Sequence, residues 1–353
     1  MTSPPRIDGS HGEGGGQIVR TSLALAIVTG RGVAIDNIRA GRKEPGLKRQ
    51  HLTAVNAAAE ICGGRVTGAA VRSRAVTLEP GPVRPGNYHF NVGSAGSATL
   101  VLQTVLPALL IADGPSSLIL EGGTHNPWSP PFDFLQRVYL PLVERMGPRV
   151  IARLERPGFY PKGGGRFVVS VQPSPTLRGF DLLERGEIVA TRARVLLSNL
   201  PPHIAERELD TVVKKLRWRR DQCAIDELPS HGPGNVLTLE VESEHATELC
   251  TAFGRLGIRA EQVAREAIAD VEAYLATDAP VGPHLADQLL LPLGLSARQA
   301  RERGEATGGG SFRTLPLTEH STTHIELLRT LLDIQIEVTP APDAATCTVR
   351  VSP

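Results

Sequence analysis

The chain has 353 residues, 41% of them apolar and 21% charged, values close to those of ordinary soluble globular proteins. Its 38 Lys and Arg against 37 Asp and Glu leave a formal net charge of +1, which excludes a global basic field. A nucleic acid, if bound, would have to be held at a local patch, and the length suits one large domain plus a smaller one.

In chain order, residues 17–29 (QIVRTSLALAIVT) predict a helix that is apolar nearly all round, a core helix stopped by Gly30. Residues 33–38 alternate as a half-buried strand does. A second helix is expected over residues 46–62, with Pro45 near its start and Gly63-Gly64 after its end. Strand-like runs follow at 76–78 and 88–92. The pattern then recurs more loosely. Residues 93–114 are again a Gly-rich loop, an apolar helix and a turn. A strand at 117–120, the loop GGTHNPWSPPFDF, a helix at 134–146 and strands at 150–153 and 166–171 complete it. Such recurrence without a short period reads as large supersecondary modules packed together.

Composition shifts near Arg185. A strand (188–197), a helix (202–215), two strands (223–228 and 235–241) and a helix (260–275) are enough for a small inserted α+β domain. The expected division is a large domain of residues 1–184 and 277–353 around an insertion of residues 185–276. After the insertion come the segment HLADQLLLPLGL, a loop over residues 297–310, and TEHSTTHIELLRTLL. A strand pair at 334–338 and 346–351 closes a sheet.

The N-terminal stretch MTSPPRIDGSHGEGGG has no apolar run, which argues against a signal peptide. The most apolar run, residues 100–112, is shorter than the about 20 residues that span a bilayer. Cys62, Cys223, Cys250 and Cys347 lie far apart with no CxxC pair, against a zinc ribbon or a disulfide framework. The chain reads as cytoplasmic, with no membrane partner.

Four segments have residues suited to chemistry. HGEGGGQIVR (residues 11–20) places glycines before a helix, where backbone N–H groups face an anion. It is neither a Walker A motif nor GxGxxG in a strand–helix setting, and it reads equally as a tight turn or a ligand loop. Glu13 there would oppose a phosphate unless it holds a metal or orients a hydroxyl. IRAGRKEPGLKRQH gathers Arg39, Arg42, Lys43, Lys48, Arg49 and His51 around a helix start, as a phosphate site or a solvated basic face. In TEHSTTHIELL, Thr323 with Glu326 fits a capping box, so the helix should start near His324 and leave His320 in the preceding loop. A neutral loop imidazole can act as a nucleophile. An ordinary surface histidine fits as well, and a zinc pair of His320 with His324 lacks a third ligand. In PHLADQL, Asp287 and Gln288 flank an apolar stripe as a cap, a base-edge reader or a solvated side.

Taken together, the chain resembles the RNA 3′-terminal phosphate cyclase family nearly end to end. The resemblance rests on DGSHGEGGGQIVR, IRAGRKEPGLKRQHLTAV, GSAGSATLVLQTVLPAL, GGTHNPWSPPFDF, GFYPKGGG, HGPGNVLTLEVESE, LADQLLLPL and TEHSTTHI. It implies an α+β fold of three repeated modules, each two helices on a four-stranded sheet, interrupted by a small inserted α+β domain. It implies a ligase-type enzyme that uses ATP to convert an RNA 3′-phosphate to a 2′,3′-cyclic phosphodiester, releasing AMP and pyrophosphate. His320 corresponds to the histidine that carries AMP. Gln103, Pro131, His284, Asp287 and Gln288 should surround the adenosine, with an imidazole at His284 where the family often has tyrosine. Arg20, Arg39, Arg42, Gln50 and His51 should hold the RNA phosphate. Glu13 should contact a divalent metal, Mg²⁺ or Mn²⁺. The competing reading is a cyclase-like factor of RNA processing or ribosome assembly that lacks the nucleophilic histidine, and a second is an enolpyruvyl transferase on similar modules.

Overall fold

Gly-rich turns and apolar helices alternate along the first half of the chain, and the computed structural model, which describes residues 4–342 and 344–353, shows what they build. Strand β1 (Arg6–Asp8) leads through the glycine turn into helix α1 (Gly16–Thr29). Strand β2 (Val33–Asp36), helix α2 (Arg49–Cys62) and strands β3 (Arg65–Thr67) and β4 (Val76–Glu79) follow. The sheet order is β1-β2-β4-β3, parallel between β1 and β2 and antiparallel elsewhere. Helix α1 ends where Gly30 takes a left-handed φ of 65° and returns its N–H to Ile27 O. Helix α2 starts three residues later than the sequence suggests. Gly46 is still turning there, at φ 82°, with its α-carbon packed against the Arg72 backbone.

The second module repeats this plan. Strand β5 (Asn87–Asn91), helix α3 (Ala98–Leu109) and β6 (Ser116–Gly122) are followed by a continuous helical stretch. That stretch joins α4 (Phe132–Phe134), a π-helical turn (Leu135–Tyr139) and α5 (Leu140–Arg145) before β7 (Arg149–Arg156) and β8 (Gly165–Gln172). The order β5-β6-β8-β7 reproduces the first sheet, pair type for pair type.

The next segment holds β9 (Ile188–Ser198), α6 (His203–Leu216), β10 (Cys223–Glu227), β11 (Gly234–Ser243), β12 (Thr247–Phe253) and α7 (Ala260–Leu275). Its order, β10-β9-β11-β12, puts the first strand inside and the second at the edge, so similar content is wired differently. It has a core of its own, with Val195, Leu209, Leu237, Val263 and Tyr274 among its members.

The last module has α8 (Pro283–Arg303), β13 (Gly310–Thr314), α9 (Glu319–Leu332), β14 (Gln335–Pro340) and β15 (Cys347–Ser352). Its sheet, β13-β15-β14, has three strands; the fourth is reduced to two parallel bridges, Leu182 to Phe312 and Val281 to Thr314, where β1 and β5 stand in the other modules. The fold is α+β with three repeated modules. The loop expected at residues 297–310 is shorter than that, because α8 continues to Arg303. Ala297 and Ala300 are buried on its last turns, and Gly304 ends it at φ 72°.

Helix α1 packs against α2, α3 and α9, and α8 packs against α9. One apolar core runs through all five, with Leu23, Val101, Leu289 and Leu328 buried in it. Each such leucine contributes about 2 kcal/mol by leaving water. The consequence for function is positional: the N-terminal turns of α1, α8 and α9 come together around one cavity. No helix among the described residues is long and apolar enough to cross a membrane.

Candidate active site

Helix α9 begins earlier than its capping-box pattern predicts. Thr318 is the N-cap, its hydroxyl accepting from Ser321 N at 3.3 Å, and Thr323 instead donates its hydroxyl to Glu319 O inside the helix. His320 therefore stands in the first turn, not in a loop. One turn separates it from His324, so both imidazoles project from one face. Each places Nδ1 3.0 Å from the same oxygen, Asp287 Oδ1 on α8. Asp287 is buried rather than solvated. Gln17 from α1 donates to that oxygen at 2.9 Å, and Gln288 donates to Oδ2 at 3.2 Å.

Burial would raise the Asp287 carboxyl, but His324 and His320 outweigh it and hold the group well below the usual carboxylate range. An ionised Asp287 orients the Nδ1–H of both rings toward itself. The Nε2 of His324 is buried without a partner, which a lone pair tolerates better than an N–H. His320 differs in one respect: its side chain is 38% exposed and lines the cavity. Its Nε2, the nitrogen opposite Asp287, makes no hydrogen bond among the described residues.

The cavity has a volume of about 630 Å³, within the range of sites for small molecules and cofactors. Arg20, Gln103, Pro131, His284, Asp287, Gln288 and His320 all line it. Gln103 donates to the Gln288 carbonyl, extending the chain of polar contacts that ends on Asp287. Pro131 caps α4, and His284 stands in the first turn of α8. The inserted segment supplies part of the opposite wall through Leu249, Phe253 and Asp270.

Arg20 is an unspent cation. Burial lowers its guanidinium to about 10, with Asp287 and Glu13 acting against that, so it stays charged at neutral pH. It makes no hydrogen bond among the described residues, which leaves its fork of donors for a ligand. His51 lies beside it. Burial, with Arg20, Arg39 and Lys48 adding to it, pushes this imidazole down to about 3. His51 Nδ1 accepts from Lys48 N at 3.1 Å, so its Nε2 carries the hydrogen. Residue 16 has to be glycine here, since a β-carbon would lie 2.2 Å from His51 Nε2.

Like His51, the other expected phosphate ligands are not among the residues that line the cavity. Arg39 is buried and donates to Glu44 O at 2.8 Å and Gly46 O at 2.9 Å, so it braces its own loop. Arg42 pairs with the Glu13 carboxylate and donates to Glu13 O at 2.8 Å. Gln50 Oε1 accepts from Ser97 N at 2.8 Å. Glu13 touches α9 through Thr323, and no group of three or more His, Cys, Asp or Glu is arranged to hold a metal among the described residues. Sequence reasoning missed Gln17, Thr318 and the wall from the inserted segment. Gln17 had a signal, a glutamine on a helix apolar nearly all round.

A family model described as RNA 3′-terminal phosphate cyclase matches residues 11–338. The chain is 49% identical over 340 residues to a protein of Koribacter versatilis named RNA 3′-terminal phosphate cyclase, covering 96% of this chain and 93% of that protein. A protein of the same name from Pseudomonas fluorescens is 49% identical over 330 residues, covering 93% and 92% of the two chains. Another, from Ectopseudomonas mendocina, is 46% identical over 329 residues, covering 93% of each.

Proposed function

Because the chain belongs to the RNA 3′-terminal phosphate cyclase family, we propose that it closes a 2′,3′-cyclic phosphate on RNA 3′ ends at the expense of ATP, with His320 as the carrier of AMP. The observation that supports this most is the contact of His320 Nδ1 with buried, ionised Asp287. It fixes the tautomer that leaves an Nε2 lone pair facing the cavity.

In the first step Nε2 attacks the α-phosphorus of ATP. A P–N bond forms, the bond to pyrophosphate breaks, and Asp287 balances the positive charge on the ring. In the second, an oxygen of the RNA 3′-phosphate attacks the same phosphorus. The P–N bond breaks and RNA(3′)pp(5′)A forms. In the third, the vicinal 2′-OH attacks the 3′-phosphorus, loses its proton and expels AMP. A phosphomonoester has no good leaving group, and adenylylation supplies one. The 2′-OH is already held beside the phosphorus, an intramolecular advantage of several kcal/mol.

Arg20 and His51 suit the phosphates that meet at this point, one as a free guanidinium and the other as a neutral donor. Gln103, Pro131, His284 and Gln288 would take the adenosine. A divalent ion would neutralise phosphate oxygens, and Glu13 would contribute one carboxylate, which fits the habit of Mg²⁺ to take few protein ligands beside phosphates and water. That requires Glu13 to share or exchange its contact with Arg42.

Incubation with α-labelled ATP and Mg²⁺ or Mn²⁺ tests the reading. Label that is acid-labile, alkali-stable and lost in His320→Ala is expected. A protein that takes up no label with either metal is not a cyclase of this kind.

A further inference from the structure

Two aromatic side chains stand largely in solvent at the rim of the cavity, Trp128 among the residues that line it and Tyr160 outside them, and neither has a part in the chemistry above. Trp128, in the loop between β6 and α4, is 76% exposed, and Tyr160, between β7 and β8, is 60% exposed. Their rings meet edge to face with centroids 5.5 Å apart. Folding gains little from rings left this open, since aromatic side chains stabilise mainly through the area they bury. An open, mutually braced pair is a surface for something else to cover.

The loop of residues 94–97 lies between the Tyr160 turn and Gln50, the neighbour of His51. Gln50 accepts from Ser97 N, and a β-carbon on the neighbouring Gly96 would lie 3.0 Å from Gln50 Cβ. On its other side the same loop meets Gly163 so closely that a β-carbon there would sit 2.7 Å from Ala95 Cα. Gly163 closes the turn that holds Tyr160, donating to Phe159 O at 2.6 Å. Asn126, two residues before Trp128, donates to Ala95 O at 2.8 Å. Both aromatic loops are thus fastened to the loop that also holds Gln50. Lys162, exposed in the Tyr160 turn, adds positive charge along the track.

Resting on the cyclase reading, we infer that Trp128 and Tyr160 form a stacking platform for a base of the single-stranded RNA whose 3′-phosphate reaches Arg20 and His51. Every base has a π face, so this contact adds affinity without a sequence requirement. It also gives a near-neutral protein a hold on RNA that does not depend on a basic field.

The chain has two tryptophans, and the other, Trp218, is only 9% exposed in the core of the inserted segment. Emission from Trp128 therefore reports on the platform directly. A short single-stranded oligoribonucleotide ending in a 3′-phosphate should quench it without ATP, whereas inorganic phosphate should not. In Tyr160→Ala the KM for RNA should rise on the order of tenfold with kcat held, and Tyr160→Phe should restore it. Quenching by ATP but not by RNA would assign Trp128 to the nucleotide and overturn the inference, as would an unchanged RNA KM in Tyr160→Ala. Quenching by RNA in a protein that takes up no label from ATP supports the platform while the cyclase reading fails.

Discussion

At the scale of single residues, the site depends on one carboxylate serving two histidines. His320 and His324 are four residues apart and converge on Asp287 Oδ1 only because both already belong to the helix. The local pattern Thr323–Glu326 pointed to a later start, and the sequence of α9 alone could not decide between two threonines as cap. The deciding partner lies on α8, 33 positions before His320, and this distance hides it from local reading. His320 itself was legible through its motif; its tautomer was not. Asp287→Asn tests the tautomer directly. The amide keeps the shape but no longer favours Nδ1–H and cannot balance a charged ring. The rate of label uptake from ATP should fall on the order of a hundredfold or more, with the ATP concentration for half-saturation little changed. A drop seen only in ATP affinity would make Asp287 a binding residue instead.

At the scale of elements, helices with an apolar face and a glycine stop were readable, and α7 was expected where it stands, at residues 260–275. Short strands were not: β1, β3 and β13 have three to five residues and owe their existence to partners far along the chain. Burial of charge was equally silent. Glu208 on α6 sits between helix and sheet with 0% exposure, accepting from Asn235 Nδ2 at 2.6 Å through one oxygen while the other has no partner. Burial pushes its carboxyl up to about 7 against an ordinary 4.5. The native state thus keeps this proton where the unfolded chain has lost it, and stability falls as pH rises from about 4.5 through 7. Glu208→Gln removes the group that titrates. Relative to wild type, the variant should gain on the order of 2 kcal/mol between pH 5 and pH 8. Urea unfolding at both values measures it, and parallel curves would mean that Glu208 ionises freely in the folded protein.

At the scale of the molecule, the recurrence of the first two modules was visible because each repeats the same order of turns and apolar stretches, whereas the third was expected only from the family resemblance. The edge strand of that third module was not legible, since two single bridges, at Leu182 and Val281, do the work of β1 and β5. The seam between the inserted segment and α8 was also out of reach, because it joins residues of no distinctive pattern. There Glu248, buried on β12, accepts from the N–H of Gly282, the N-cap of the helix that carries His284, Asp287 and Gln288. A β-carbon on Gly282 would lie 2.5 Å from that carboxyl group, so glycine is what lets the two segments close. Burial raises the Glu248 carboxyl to about 7, yet charged or neutral it can accept this bond. Glu248→Ala leaves a helix-terminal N–H unpaired, which should cost about 1–3 kcal/mol and slow label uptake from ATP by loosening the start of α8. Glu248→Gln retains an acceptor and should stay close to wild type in both respects. Thermal unfolding and the labelling rate, measured on both variants, decide the point: equal loss in the two would trace the effect to charge, and a loss confined to alanine to the hydrogen bond that ties the cavity wall to the helix beneath it.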